Sequence, residues 1–190
     1  MKVQNISFGA KFIDNVNIER KVRGDKRINH EVALVELDGH SYNDLKSVED
    51  IVFDWGGFSS FTFDICDNMH TIYENPPHIN NSWYFYALTN QKGNYDKLDP
   101  KAILSIAQVT NTFNDRIKLN YFETNMKYAH DAKKSKFARI GTALMDGIKS
   151  LHSGQSIYAK VVDEAKPFYL KNGFEDLCDG FSTFVFRRKL

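Results

Sequence analysis

The chain has 190 residues with 42% hydrophobic and 26% charged side chains, enough to bury about 70% of its unfolded surface in one domain. A net charge of +1 excludes a global field that would draw in nucleic acid or an anionic membrane, so electrostatic recognition must be local. No apolar run is long enough to span a bilayer, the N-terminus lacks a signal-like apolar stretch, and two distant cysteines make no disulfide framework; a reduced, cytoplasmic setting is expected.

Residues 1–30 are mixed and charged and read as an unassigned arm with at most one strand. "EVALVELD" (31–38) is apolar and β-rich and predicts a buried strand. Asn43 or Asp44 is the expected cap of a helix whose stripe is Leu45, Val48, Ile51, Val52 and Trp55. Gly56 and Gly57 stop it. Ser59 or Ser60 starts a second helix carrying Phe61, Ile65, Met69 and Ile72, and "NPPHINN" (75–81) is a loop. Three strands follow at 82–89, 102–110 and 117–124, joined by loops suited to antiparallel neighbours. Within the first of these, the aromatic run Trp83 to Tyr86 alternates faces.

Over 133–151, Phe137, Ile140, Leu144, Ile148 and Leu151 are spaced as one helical stripe. "SIYAKVV" (156–162) is a strand, and a short helix spans about 164–172, with Pro167 in its first turn and Gly173 at its end. "FSTFVFRRKL" closes the chain as a strand. This order predicts a mixed α/β sheet with crossover helices.

The candidate chemistry sits where the strand ending near Thr124 leads through a basic loop into the helix. Strand, loop and helix N-terminus together form an anion site, because the first N–H groups of a helix lack partners and its dipole favours negative charge. Lys127, Lys133, Lys134, Lys136 and Arg139 surround it against Asp131. Gly141 and Ala143 are small, which lets a ligand approach the backbone. A solvated basic loop before an ordinary amphipathic helix accounts for the same residues. Tyr169, four residues before Gly173–Phe174, points back toward the sheet or packs as a half-buried core tyrosine. The six histidines (His30, His40, His70, His78, His130 and His152) have no ligand spacing, so no metal site is expected.

"KFARIG" (136–141) followed by "GTALM" resembles the phosphate loop of the GNAT acetyltransferases, Q/R-x-x-G-x-G/A. Lys136 stands in the Q/R place, Arg139 in the first glycine place and Gly141 in the second. "FYLKNGF" (168–174) is similar to the family's Y-x-x-x-G-F segment. The resemblance is close over about 116–175 and topological elsewhere from residue 31 onward. It implies a GNAT-like, mostly antiparallel sheet of about seven strands with about four helices over 31–190. It implies acetyl-CoA or another acyl-CoA as co-substrate. The pantetheine would run along the strand near Glu123, Thr124, Asn125 and Met126. The pyrophosphate would lie on the backbone of Phe137, Ala138, Arg139, Ile140, Gly141, Thr142 and Ala143, with Lys136 beside it. Arg139 is harmless there if its φ is helical.

An amine acceptor, small molecule or protein, would attack the thioester directly. Glu123 would be the base unless it is simply a charge at a strand end, an N–H near Asn125 would meet the oxyanion, and Tyr169 would protonate the thiolate. Asp54 and Gly56–Gly57 would line the acceptor side. No nucleic acid and no membrane partner are expected; a homodimer is compatible. The alternative is a GNAT-fold CoA-binding or regulatory module without catalysis. A nucleotide binder of another α/β class ranks last, because no glycine-rich Walker pattern is present.

Overall fold

The computed structural model describes residues 9–23, 26–75, 82–112, 116–128 and 135–187. Expectations resting on the 76–81 loop with His78, on the 113–115 turn, and on His130, Asp131, Lys133 and Lys134 lie outside these residues. A hairpin comes first. β1 (Lys11–Lys21) pairs antiparallel with β2 (Arg27–Leu37), from Lys11↔Glu36 to Lys21↔Arg27. Much of the expected arm is therefore strand, and β2 starts four residues before the predicted 31.

Then come α1 (Tyr42–Val52), α2 (Phe61–Glu74), β3 (Trp83–Thr89), β4 (Ile103–Thr112) and β5 (Arg116–Thr124). β6 (Phe137–Ala138), α3 (Ile140–Leu151), β7 (Ser156–Lys160), α4 (Lys166–Lys171), β8 (Glu175–Asp176) and β9 (Thr183–Phe186) complete the described chain.

These elements form a GNAT-like mixed α/β fold. Among the described residues, nine strands join one sheet in the order β6-β1-β2-β3-β4-β5-β7-β9-β8. The count exceeds the expected seven or so because β1, and the short β6 and β8, add pairs that local patterning does not reveal. Every neighbouring pair is antiparallel except β5 and β7, which α3 joins by a crossover.

Alternation along the strands splits the core in two. On one face Ile18, Val32, Leu34, Leu88 and Leu104 pack with Leu144, Ile148 and Phe184. On the other, Ala33, Val35, Phe85 and Ile106 pack with Leu45, Val48, Ile51, Trp55, Ile65 and Met69 of the α1–α2 layer. Burial on both faces explains why β2 reads as a continuous apolar run.

Ser60 caps α2, accepting the Phe63 N–H at 3.2 Å. The α1 cap is Ser41 rather than Asn43 or Asp44: its Oγ accepts the Asp44 N–H at 3.3 Å, and both expected caps lie inside the helix. Asp44 is instead fully buried, with Oδ2 accepting the Asp38 N–H at 2.8 Å. Burial, aided by the nearby Asp38 charge, pushes its carboxyl up to about 7, although backbone hydrogen bonds from Asp38 and Ala10 pull the other way.

Because that value lies above the unfolded one, the folded state binds the extra proton. Stability from this group is full below about pH 4 and is lost as pH rises to about 7. Asp44→Asn keeps an acceptor without the charge. Its Tm is expected to exceed the wild type's by about 5 °C at pH 8, with the gap closing near pH 5, in paired thermal scans.

Candidate functional site

The parallel pairing of β5 with β7 runs from Arg116↔Ser156 to Leu119↔Ala159 and stops. Directly after it, β5 carries an extra residue: Leu119 and Tyr121 oppose Val109 and Gln108, and Asn120 is left over. Such a bulge bends its strand. β5 and β7 part, and a cavity of about 830 Å³ opens between them. Asn120, Tyr121, Phe122 and Thr124 line one wall, Lys160, Val161 and Val162 another, and Phe168 and Tyr169 of α4 close over it. Phe122 packs with the α3-side core and Tyr121 with the α1–α2 side, so the opening reaches both faces of the sheet. Phe61 at the start of α2 lines it too, with its ring 6.0 Å from that of Tyr121.

The segment entering α3 forms a further wall. Phe137 and Ala138 pair with Arg20 and Glu19 of β1, and the Lys21 N–H donates to Lys136 O at 2.9 Å. α3 starts at Ile140, with Gly141 in its first turn, and Phe137 belongs to a strand rather than to the helical stripe. The first amide to bond back is Ala143, to Arg139 O at 2.9 Å. The N–H groups of Ile140, Gly141 and Thr142 thus lack intrahelical partners, and all three residues line the cavity. A Cβ on Gly141 would stand 3.2 Å from the Phe168 ring and 3.3 Å from Thr124 Oγ1, so glycine lets β5, α3 and α4 converge here.

Arg139 does not have helical φ. It is the N-cap of α3 at φ 62°, ψ 19°, the left-handed conformation that favours glycine. The glycine geometry of the loop is kept while the side chain is arginine. Its Nη1 lies 3.8 Å from Glu19 Oε1, and Glu19 Oε2 accepts from Arg27 Nη1 at 2.7 Å.

The other expected site residues divide. Thr124, Phe137, Ala138, Arg139, Ile140, Gly141, Thr142 and Tyr169 line the cavity; Glu123, Asn125, Met126, Lys136 and Ala143 do not. Ala143 is buried in the core, and Lys136 Nζ sits 5.7 Å above the Phe137 ring. The Asn125 N–H donates to Leu104 O at 3.0 Å, so it is not free to meet an oxyanion.

Glu123 alternates away from Phe122 and Thr124, toward α2. Its Oε2 accepts the Thr62 N–H at 2.7 Å and the Thr62 hydroxyl at 2.6 Å. Burial raises its pKa, the Thr62 bonds oppose this, and the Asp64 charge adds to the rise. Tyr169 stands among the rings of Phe168, Phe174 and Phe184, at 5.5, 5.2 and 6.2 Å. Burial pushes its hydroxyl up to about 12.

Sequence reading missed Lys21 and Arg27, which reach the cavity from the hairpin, and the Asn120 bulge. The basic run "ERKVRGDKR" (19–27) was the available signal for the former. Lys21, Arg27, Arg139, Lys160 and Lys171 line the cavity against Glu164, so its field is positive although the chain is nearly neutral. Among the described residues no three His, Cys, Asp or Glu side chains gather as a metal site, and no helix is long and apolar enough to cross a membrane.

No protein-family model matches the chain, and no curated protein does. Solved structures do match. A GNAT-family protein from Desulfovibrio desulfuricans aligns with TM-score 0.58 at 14% identity, over 83% of this chain and 100% of that one. An acetyltransferase of the GNAT family from Staphylococcus aureus Mu50 gives TM-score 0.53 at 17% identity, over 78% and 86%. AtaTR bound with AcCoA gives 0.53 at 14% identity, over 82% and 92%. The chain has the GNAT fold.

The expectation that nucleic acid is excluded is corrected. A KacTA–DNA complex also matches, with TM-score 0.43 and 16% identity over 63% of this chain and 79% of that one.

The left-handed backbone at Arg139 gives a direct test. Arg139→Gly relieves a strain of about 1 kcal/mol and is expected to raise Tm by about 2 °C, whereas Arg139→Ala, strained alike, leaves it unchanged.

Proposed function

We propose that the chain is an N-acyltransferase that moves an acetyl group from acetyl-CoA to a primary amine by direct attack. The observation that carries this reading is the cavity between β5 and β7, with three unpartnered N–H groups of α3 on its wall. Those amides suit a pyrophosphate. The parted strand edge suits an extended arm. Phe61 and Tyr121 mark the way to the α1–α2 face, where an acceptor would enter. Besides the buried Asp44, residues 42–74 there carry six carboxylates against one lysine, which favours a cationic acceptor such as an ammonium.

The amine must first lose its proton. Glu123 takes it through water, since its carboxylate faces α2 rather than the cavity, and Oε1 is free of the Thr62 bonds that hold Oε2. The neutral nitrogen then attacks the thioester carbonyl, the C–N bond forms and the C–S bond breaks; Tyr169 protonates the departing thiolate, and the second proton, shed by the acylated nitrogen, returns to the tyrosinate through water. A hydroxyl whose pKa lies near 12 is protonated at neutral pH, as an acid must be.

A second reading has its own support. Glu123 is fully accounted for as a tether on the first turn of α2, and Tyr169 as an aromatic core residue. A GNAT-fold CoA-binding or regulatory module without catalysis would look the same.

The experiment is a thiol assay for free CoA with acetyl-CoA and a panel of primary amines and peptides. The expected result is release with at least one acceptor. Tyr169→Phe should cut kcat about 100-fold while leaving the acetyl-CoA Kd unchanged. Glu123→Gln should remove the acid limb of kcat/KM, a limb that burial has moved above the usual carboxylate range. Tight acetyl-CoA binding with no release from any acceptor would establish the binding module instead.

A further inference from the structure

The N-terminal hairpin has no part in the chemistry above, yet it brings charge to the cavity. β6 is hydrogen-bonded to β1, so the loop entering α3 is held against the hairpin end where Lys21 pairs with Arg27. Lys21, Arg27 and Arg139 all line the cavity. Between two of them stands Glu19, 2.7 Å from Arg27 and 3.8 Å from Arg139. One carboxylate thus faces two guanidinium groups, and Lys21 stands opposite Arg27 in the hairpin. The backbone amides of Ile140 to Thr142 are a separate set of donors, and they suffice for a pyrophosphate.

We propose that Lys21, Arg27 and Arg139 form a second phosphate clamp, built by the hairpin, for the terminal 3′-phosphate of CoA. This rests on the acyl-CoA reading and assigns the ligand's outermost charge to residues outside the phosphate loop. A phosphomonoester carries close to two negative charges and offers three oxygens. That charge and geometry suit two planar guanidinium groups better than one carboxylate does. Glu19 occupies the place of the anion in the free protein. It keeps the two arginines at the cavity rim and gives them up when phosphate arrives. The left-handed backbone at 139 then has a use: it directs toward the hairpin a side chain that glycine would lack.

Calorimetric titration of the full chain with CoA and with 3′-dephospho-CoA tests this. The wild type is expected to bind CoA about tenfold more tightly, with the difference shrinking as salt is raised. In Arg27→Gln and Lys21→Gln, both at exposed or half-buried positions, the two ligands should bind alike, at the wild-type affinity for dephospho-CoA. Glu19→Gln frees both guanidinium groups and should tighten CoA about threefold without changing dephospho-CoA. Equal wild-type binding of both ligands would overturn the clamp and leave the acyl-CoA reading standing. An equal loss of both ligands in the variants would also overturn it, by placing these cations on the pyrophosphate. Binding of neither ligand would overturn the clamp and the acyl-CoA reading together.

Discussion

The site depends on a place where the sheet fails to close. β5 and β7 pair over Arg116–Leu119, and the extra residue Asn120 ends the pairing. Had the ladder continued, side chains from the two faces of the sheet would have stayed on opposite sides of a hydrogen-bonded wall. Because it stops, Tyr121 and Phe122, which belong to opposite faces, border one cavity. The bulge carries a cost of its own: Asn120 donates to Thr110 Oγ1 at 2.8 Å, but its Oδ1 is buried without a partner.

Charge is arranged along the same opening. Five cationic side chains and one carboxylate line the cavity, while the α1–α2 segment is strongly acidic. The sum is nearly neutral, so net charge conceals a polarity that suits a phosphorylated donor on one side and a cationic acceptor on the other. Arg139 joins the two themes. It holds the backbone conformation of a glycine, at an energetic cost, and contributes a cation facing Glu19.

Where tertiary contacts agreed with local periodicity, the fold was legible in the sequence. Leu45, Val48, Ile51, Val52 and Trp55 are all buried, as their spacing implied. The antiparallel run β3–β4–β5 followed from loop chemistry and apolar segments. β1 was obscure because it lies near the sheet edge and is almost all exposed or half-buried, so its alternation is weak. Phe137 fits the α3 stripe by spacing, because it falls three residues before Ile140. Only its pairing with Arg20, far away in the chain, shows a strand. The cavity lining was legible at Tyr169 and at 137–142, where composition and spacing were distinctive. The Asn125 amide was misassigned because its acceptor, Leu104 O, lies on another strand. No local pattern announces a bulge at Asn120, or a hairpin that delivers Lys21 and Arg27.

The most direct test of this account is an amide NMR titration of the full chain with acetyl-CoA. The account predicts that the largest shifts fall on the amides of Ile140, Gly141 and Thr142 and on residues 120–124 of β5, with Val48 and Ile51 of α1 unmoved. Shifts confined to the α1–α2 layer, or no shifts at saturating ligand, would contradict it.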